Sequence, residues 1–295
     1  MAPRREIPTL RSADGYDLSA VTDLPACIAA GHGGRRDDSA TARLVPGVLF
    51  CHGFTGHKME TRRMFARLCA RLAAAGIGSF RFDHRGCGES DGGFEDFTPD
   101  GMLEDLRTAH ESFRNLRGLD RSRMALVGFS LGGASVSYLL SRDPAIATAV
   151  LVNPLGRPGT MIDRFRESVP SDHPGLPGGS GGPGAAAAPW DRSPAGNFEY
   201  GGFRVSDGFL TDPDWLTPVE WIAGHPAPVL FIHGQADKIV GPEQSEALMK
   251  GHSHPMDRRE VLPGADHTFS ECAHLDRVID LAEAWLKEML LRRRR

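Results

Sequence analysis

The sequence predicts an α/β fold in which a mostly parallel sheet is covered by helices on both faces. From residue 45 onward, short apolar runs alternate with longer helical patterns, which is the order expected of strands joined by helical crossovers. Each apolar run is bounded by Gly, Pro, Asp or His. The chain has 295 residues, of which 40% are hydrophobic, so it is long enough to bury a large core.

The residues before this alternation are typical of a hairpin that opens the sheet. Asp14 and Gly15 supply the dipeptide that a tight turn needs. The following residues, 29–42, have loop composition and are expected to bulge from the surface.

The helices and strands of the alternation follow from their residue patterns. A helix is predicted within 98–118, because Thr98 can cap its first turn, apolar residues repeat at helical spacing, and Gly118 can end it. A last helix with an apolar stripe is predicted at about 274–291. The predicted strands are residues 47–51, 78–82, 124–127, 148–152, 229–232 and 260–262.

The longest interruption of the pattern divides the chain into three parts. Residues 1–153 and 227–295 are predicted to form the two parts of the core, and residues 154–226 a cap inserted over the ends of the strands. The cap contains a Gly/Pro/Ala tract at about 173–196. Because this tract cannot bury enough apolar surface to offset the entropy of ordering it, we expect it to be mobile.

Composition and charge exclude several classes of function. A net charge of −4 gives no general attraction to nucleic acid or to an acidic membrane. No apolar run reaches the roughly 18 residues of a membrane span, and the N-terminus has no apolar signal segment, so the expected location is the cytoplasm. The five cysteines are scattered, which suits reduced thiols. We expect no metal and no cofactor, and a homodimer is left open.

A serine stands between two glycines in the stretch Gly128-Phe129-Ser130-Leu131-Gly132, which follows an apolar run and precedes a helical pattern. In this context Gly-x-Ser-x-Gly is typical of a nucleophile elbow, whose tight turn needs flanking positions without side chains. A helix N-cap is the alternative interpretation of Ser130, since serine caps helices well.

Two further residues complete the chemistry that this serine needs. A serine nucleophile needs a base, and the base needs an orienting acid, here in the chain order serine, acid, histidine. Asp237 follows the run 229–232 and His267 follows 260–262, at carboxyl ends where such sheets assemble their sites. Taken alone, Asp237 is typical of a turn and His267 of a solvated loop. In this order with Ser130 they indicate a catalytic triad.

The remaining part of the predicted site comes from the loop after the run 47–51 and from the residue after Ser130. We assign stabilisation of the tetrahedral intermediate to the main-chain N–H groups of Phe54 and Leu131. His52 and His57 suggest a metal site, but no third ligand stands at a suitable spacing. A structural role for His52 is therefore the preferred interpretation.

With these motifs the chain resembles serine hydrolases of the α/β-hydrolase fold, in the group that includes serine aminopeptidase and monoglyceride-lipase-like proteins. The motifs are most similar to those of bacterial cinnamoyl and feruloyl esterases. They are HGFTGHK at 52–58, RFDHRGCGESDGGFED at 81–96, GFSLGG at 128–133, IHGQAD at 232–237 and GADHTFS at 264–270. The resemblance covers roughly residues 45–152 and 227–291.

The resemblance implies hydrolysis of small carboxylic esters through an acyl-enzyme, without a cofactor, and a cap that shapes the acyl or aromatic pocket. It implies a structural role for Asp83. Leu131 stands where several such esterases have a polar residue, and no residue of the Gly/Pro/Ala tract aligns with those that hold a phenolic hydroxyl. Cys87 lies near the expected site and is interpreted as a packed thiol, with a reactive thiol as the alternative.

The predicted function is a serine hydrolase that cleaves a small-molecule carboxylic ester. A thioesterase or an amide-cleaving peptidase uses the same triad and stays an alternative. A non-catalytic ligand-binding protein of the same fold is the alternative from another class, and the complete set of Ser130, Asp237 and His267 argues against it.

Overall fold

The computed structural model describes residues 4–29, 44–159, 190–192, 198–200, 202–206, 208 and 216–292. Twelve strands lie within these residues. They are β1 (Arg4–Glu6), β2 (Thr9–Arg11), β3 (Asp17–Leu24), β4 (Val45–Cys51), β5 (Gly78–Phe82), β6 (Leu119–Phe129), β7 (Thr148–Val152), β8 (Trp190–Arg192), β9 (Phe198–Tyr200), β10 (Phe203–Val205), β11 (Val229–Gly234) and β12 (Arg258–Leu262). Each of the six strands predicted from the sequence is confirmed.

Nine of these strands form one sheet in the order β1-β3-β5-β4-β6-β7-β11-β12, with β2 beside β3. The neighbouring pairs from β5 to β12 are parallel, whereas β1, β2 and β3 pair antiparallel at one end. The hairpin of β2 and β3 confirms the predicted turn, in which Gly15 has a φ of +99°. The fold is therefore the predicted α/β class with a mostly parallel sheet.

Helices cover both faces of the sheet. The α-helices of the described residues are α1 (Ala26–Ala29), α2 (Met64–Ala74), α3 (Pro99–Arg114), α4 (Leu131–Arg142), α5 (Pro218–Ile222), α6 (Glu243–His252) and α7 (Cys272–Leu291). Apolar residues of α2 and α7 share one buried cluster with the sheet, and those of α3, α4 and α6 share another. The two clusters are the cores on the two faces.

The start of the helix predicted at 98–118 is confirmed, whereas its predicted end at Gly118 is wrong. Thr98 Oγ1 accepts a hydrogen bond from the Gly101 N–H at 3.0 Å, so it caps α3 as expected. The helix ends at Arg114, because the Leu116 N–H bonds to the Phe113 carbonyl in a tighter turn. Gly118, with a φ of +88°, then reverses the chain into β6.

The predicted cap, residues 154–226, lies in the chain between β7 and β11, and these two strands pair with each other. The described part of this stretch contains a separate three-stranded antiparallel sheet, β8 to β10, and helix α5. Apart from β8, the Gly/Pro/Ala tract lies outside the described residues, as does almost all of the loop predicted at 29–42. The bounds of the cap stay a prediction. Where the structure describes the chain, its helices are too short or too polar to cross a membrane.

Candidate active site

The loops that follow four parallel strands carry the residues singled out from the sequence. Phe54 lies just after β4, Ser130 directly after β6, Asp237 just after β11 and His267 after β12. Because the carboxyl ends of parallel strands meet at one edge of the sheet, these loops lie together.

The turn at Ser130 is as tight as the two glycines predict. Ser130 has a φ of +53° and a ψ of −119°, a conformation that side-chain-bearing residues rarely adopt. A Cβ atom on Gly132 would lie 2.1 Å from the Cys51 carbonyl oxygen, and one on Gly128 would lie 2.3 Å from the carbonyl oxygen of Gly132. Ser130 occupies the N-cap position of α4, but its side chain makes no capping hydrogen bond, so capping does not account for the serine.

A continuous chain of hydrogen bonds joins the three polar side chains. The Ser130 Oγ lies 3.1 Å from His267 Nε2, and His267 Nδ1 lies 2.6 Å from Asp237 Oδ2. Ser130, His267 and Asp237 are buried, with exposed fractions of 9%, 8% and 6%. With the imidazole neutral, Nδ1–H donates to the carboxylate and Nε2 is left to accept the serine proton.

Asp237 is held as a carboxylate by several donors. Its Oδ1 accepts hydrogen bonds from the Ile239 and Val240 N–H groups, both at 2.9 Å. His233 Nε2 donates to the Val240 carbonyl at 2.9 Å and lies 3.6 Å from Asp237 Oδ2. Burial opposes the charge, but the contacts with His233 and His267 outweigh it and lower the pKa of Asp237 to about 2.

The two residues assigned to the oxyanion hole lie in segments next to Ser130. Leu131 is the first residue of α4, and the first N–H groups of a helix have no partner within that helix. Gly53, which precedes Phe54, is so close to the elbow that a Cβ on it would lie 3.2 Å from the Ser130 Cβ. The side chains of Phe54 and Leu131 join a mostly buried apolar cluster that also contains Phe94 and Phe97.

His52 is tied into the protein through both ring nitrogens. Its Nδ1–H donates to the Gly53 carbonyl at 2.8 Å, and its Nε2 accepts from the His84 N–H at 3.1 Å. Burial, with His84 nearby, lowers the pKa of His52 to about 3. The ring is therefore neutral and structural. The described residues contain no group of three side chains suited to hold a metal.

Asp83 and Cys87 both have contacts typical of structural residues. The Asp83 carboxylate accepts hydrogen bonds from both nitrogens of Lys58 and from the Glu89 N–H, so it fastens the loop that carries Phe54. Cys87 is buried in the apolar cluster, and burial raises the pKa of its thiol. These surroundings favour a packed thiol over a reactive one.

Two residues that act on the loops of the site were not predicted from the sequence. Asn153, fully buried with a φ of +43°, donates from Nδ2 to the His267 carbonyl at 2.7 Å and accepts from the Gly234 N–H at 2.8 Å. Glu60 accepts from the Gly53 N–H at 2.9 Å. The signal for Asn153 is its position directly after a strand, because asparagine tolerates a positive φ. Glu60 has no comparable local signal.

Comparison of sequences identifies a family. The sequence model of the alpha/beta hydrolase family matches residues 48–284. Among individual proteins, the chain is 28% identical over 244 residues to the uncharacterized protein Rv2307c of Mycobacterium tuberculosis, spanning 82% of this chain and 70% of that protein. It is 26% identical over 269 residues to an uncharacterized 31.7 kDa protein of Escherichia coli, spanning 83% and 91%.

Comparison of structures finds the same fold in esterases. The chain is similar to Est1E from Butyrivibrio proteoclasticus with ferulic acid bound, with a TM-score of 0.71 and 22% identity over 97% of this chain and 100% of that one. It is also similar to the esterase domain of a Rhodothermus marinus protein, with a TM-score of 0.62 and 21% identity over 97% and 100%. At these identities the likeness shows the fold.

Proposed function

The chain belongs to the alpha/beta hydrolase family, and on this premise we propose that it hydrolyses small carboxylic esters through an acyl-enzyme. One observation carries the proposal, namely the buried chain of hydrogen bonds from Ser130 through His267 to Asp237. A nucleophile, a base and an orienting acid in this geometry are what acyl transfer to serine requires.

In the first half of the reaction, Ser130 Oγ attacks the ester carbonyl carbon while its proton passes to His267 Nε2. Asp237 keeps the other ring nitrogen protonated and stabilises the imidazolium that forms. The negative carbonyl oxygen accepts hydrogen bonds from the Phe54 and Leu131 N–H groups. The bond from the carbonyl carbon to the leaving oxygen then breaks, and His267 protonates the departing alcohol.

In the second half, water takes the place of the alcohol. His267 accepts a proton from the water as its oxygen attacks the acyl carbon, and the same two N–H groups hold the second oxyanion. When the bond to Ser130 Oγ breaks, His267 returns the proton to the serine. The acid leaves and the site is restored.

The proposed substrates have an apolar acyl group, with aromatic acyl esters the first to be screened. The apolar cluster beside Ser130 contains Phe54, Phe94 and Phe97, which supports an apolar pocket. The structural neighbour Est1E holds ferulic acid, and that supports the closer relation to cinnamoyl and feruloyl esterases. Thioesters and amides stay alternatives, because the same three side chains serve all of these acyl transfers.

We place the enzyme in the cytoplasm. The four cysteines whose side chains the structure describes are free thiols, which supports a reducing compartment.

The test is labelling with a fluorophosphonate followed by intact mass and peptide mapping. We expect one adduct, on Ser130, and its loss in Ser130→Ala together with a fall in kcat of about 10⁶-fold. Ser122→Ala, at an exposed serine, is the control that keeps both. Rates on a phenyl ester, an acyl-CoA and an aminoacyl amide then separate the alternatives. Full esterase activity in Ser130→Ala contradicts the proposal.

A further inference from the structure

A buried carboxyl group closes the loop 52–60, which carries Phe54. Glu60 is 6% exposed, and its Oε2 accepts a hydrogen bond from the Gly53 N–H at 2.9 Å. Its Oε1 accepts from the Thr61 N–H at 3.1 Å, and its own N–H donates to the His57 carbonyl at 2.8 Å. The side chain thus ties the beginning of the loop to its end.

The peptide group between Gly53 and Phe54 is also fixed, through its carbonyl oxygen. The Gly53 carbonyl accepts from His52 Nδ1–H at 2.8 Å and from the Gly56 N–H at 3.0 Å. In a trans peptide, this carbonyl and the Phe54 N–H point in opposite directions. Holding the carbonyl therefore sets the direction of the Phe54 N–H. Because Glu60 holds the Gly53 N–H, both peptide groups that flank the Gly53 Cα are constrained.

The residues around Glu60 are strained and closely packed. Glu60, Arg62 and Arg63 have φ values of +58°, +45° and +62°, although none is glycine. Such conformations persist only where the surroundings enforce them, and they concentrate at functional sites. A Cβ on Gly56 would lie 3.1 Å from Glu60 Oε2, so the loop has no spare room there.

The same segment also reaches the loop of His267. Arg62 donates from its guanidinium to the Thr268 carbonyl at 2.9 Å. Thr268 follows His267 directly in the chain. Residues 60–62 therefore bridge the loop that carries Phe54 and the loop that carries the proposed base.

We propose that Glu60 is a positioning residue, whose carboxylate holds the loop 52–60 so that the Phe54 N–H meets the developing oxyanion. This inference rests on the proposed function. Two N–H groups face the two carboxylate oxygens, so an amide in place of the carboxylate presents a donor to one of them. The loop then loses one of its ties without any change of side-chain size.

The experiment compares Glu60→Gln with wild type and with Glu246→Gln, the same chemical change at an exposed position of α6. The readouts, taken at pH 8 so that the Glu60 carboxyl group is ionised, are kcat and KM for one ester, and the inhibition constant of a trifluoromethyl ketone, whose adduct with the serine carries the oxyanion. We expect Glu60→Gln to lower kcat about tenfold, less than the roughly 10²–10³-fold loss on removing a donor outright. KM should change little, and ketone affinity should fall in parallel with kcat/KM. Glu246→Gln should match wild type.

The measurements distinguish a failure of the proposed function from a failure of the inference about Glu60. Wild type without an acyl-enzyme contradicts the proposed function itself. An active wild type beside a Glu60→Gln variant with unchanged kcat and ketone affinity overturns only the inference about Glu60. Glu60→Asp keeps the charge but is one methylene shorter, so it cannot reach both N–H groups and should show the same losses if Glu60→Gln does not fold. A loss of activity that only follows the loss of folded protein, measured by circular dichroism, also overturns the inference.

Discussion

The backbone of Ser130 is strained, and its neighbours hold the strain in place. Its φ of +53° and ψ of −119° lie in a region that costs a non-glycine residue about 1–3 kcal/mol. The Ser130 N–H donates to the Val152 carbonyl at 2.9 Å. Its carbonyl accepts from the N–H groups of Gly133 and Leu155 at 2.9 and 3.1 Å. These three main-chain bonds keep the hydroxyl directed toward His267.

Asn153 offers a pH-dependent test of how the His267 loop is held. In Asn153→Asp the shape and the tolerance of positive φ are retained, but an ionised carboxylate cannot donate to the His267 carbonyl. A protonated carboxyl group can donate there and still accept from the Gly234 N–H. We expect kcat close to wild type at pH 5, where the buried group stays protonated, and a stability that falls below wild type by about 1–3 kcal/mol as the pH rises above the unfolded pKa of about 3.9.

Urea denaturation and kcat measured from pH 5 to 8 check this prediction. Asn115→Asp is the matched control, because Asn115 is exposed and uses its side-chain oxygen to accept from Arg121. Equal pH profiles for the two variants would argue that Asn153 does not hold the loop.

The three side chains of the proposed triad could be predicted from the sequence, whereas the residues that position them could not. Ser130 was found because its motif is local, and Asp237 and His267 because each follows an apolar run. Asn153 acts on main-chain groups 81 and 114 positions away, at Gly234 and His267, and such pairing has no periodic pattern. Glu60 likewise binds N–H groups, which every residue except proline presents.

At the scale of elements, the six parallel strands of the sheet were predictable because each contains a short apolar run, whereas β1 and the separate sheet β8 to β10 were not predicted. The end of α3 was not predictable, because Leu116 continues the helical spacing of apolar residues beyond Arg114. The end of the helix is set by the turn that feeds β6, and periodicity carries no information about that turn. The close approach of α4 to the end of β4 is a tertiary contact that allows no side chain at Gly132.

The contact at Gly132 predicts how an added methyl group, in Gly132→Ala, changes the stability of the protein. Alanine is a better helix former than glycine by about 1 kcal/mol, so Gly132→Ala would stabilise an isolated helix. In this protein the new Cβ would lie 2.1 Å from the Cys51 carbonyl oxygen and 2.6 Å from that of His52. Because backbone atoms cannot yield easily, we expect a loss of about 3 kcal/mol or more in unfolding free energy.

Gly76→Ala calibrates this measurement. A Cβ at Gly76 would meet no atom within 4 Å, but its φ of +86° disfavours alanine. We expect a loss of about 1 kcal/mol there, from backbone conformation alone. Urea denaturation that ranks the two variants equally would contradict the steric account of Gly132.

At the scale of the whole molecule, buried titratable groups have opposing effects on stability. Burial lowers the pKa values of His52, His110 and His225, so their contribution is present above the unfolded pKa of about 6.5 and is lost as the pH falls. Burial raises the pKa of Glu60 to about 7, so its contribution is present below pH 4.5 and is lost as the pH rises through 7. From pH 5 to 7, the contribution of His52 to the unfolding free energy rises by about 2 kcal/mol, and that of Glu60 falls by about 2 kcal/mol.

Without the Glu60 carboxyl group, the gain in stability that the buried histidines give as the pH rises should no longer be offset. From pH 5 to 7, we expect the unfolding free energy of Glu60→Gln to rise about 2 kcal/mol more than that of wild type. Urea denaturation of both proteins at several pH values measures this difference, and only the slopes are compared, because the variant also loses a hydrogen bond. Parallel curves would mean that Glu60 does not titrate in this range.

The order of the strands along the chain has a consequence for synthesis. Ser130 and His267 are 137 positions apart, so the ribosome completes the elbow long before it adds the imidazole. At about 5–20 residues per second, the interval lasts roughly 7–27 s. A nascent chain therefore carries Ser130 without its histidine partner until β12 joins β11, so under the proposed function the serine is not activated before that point.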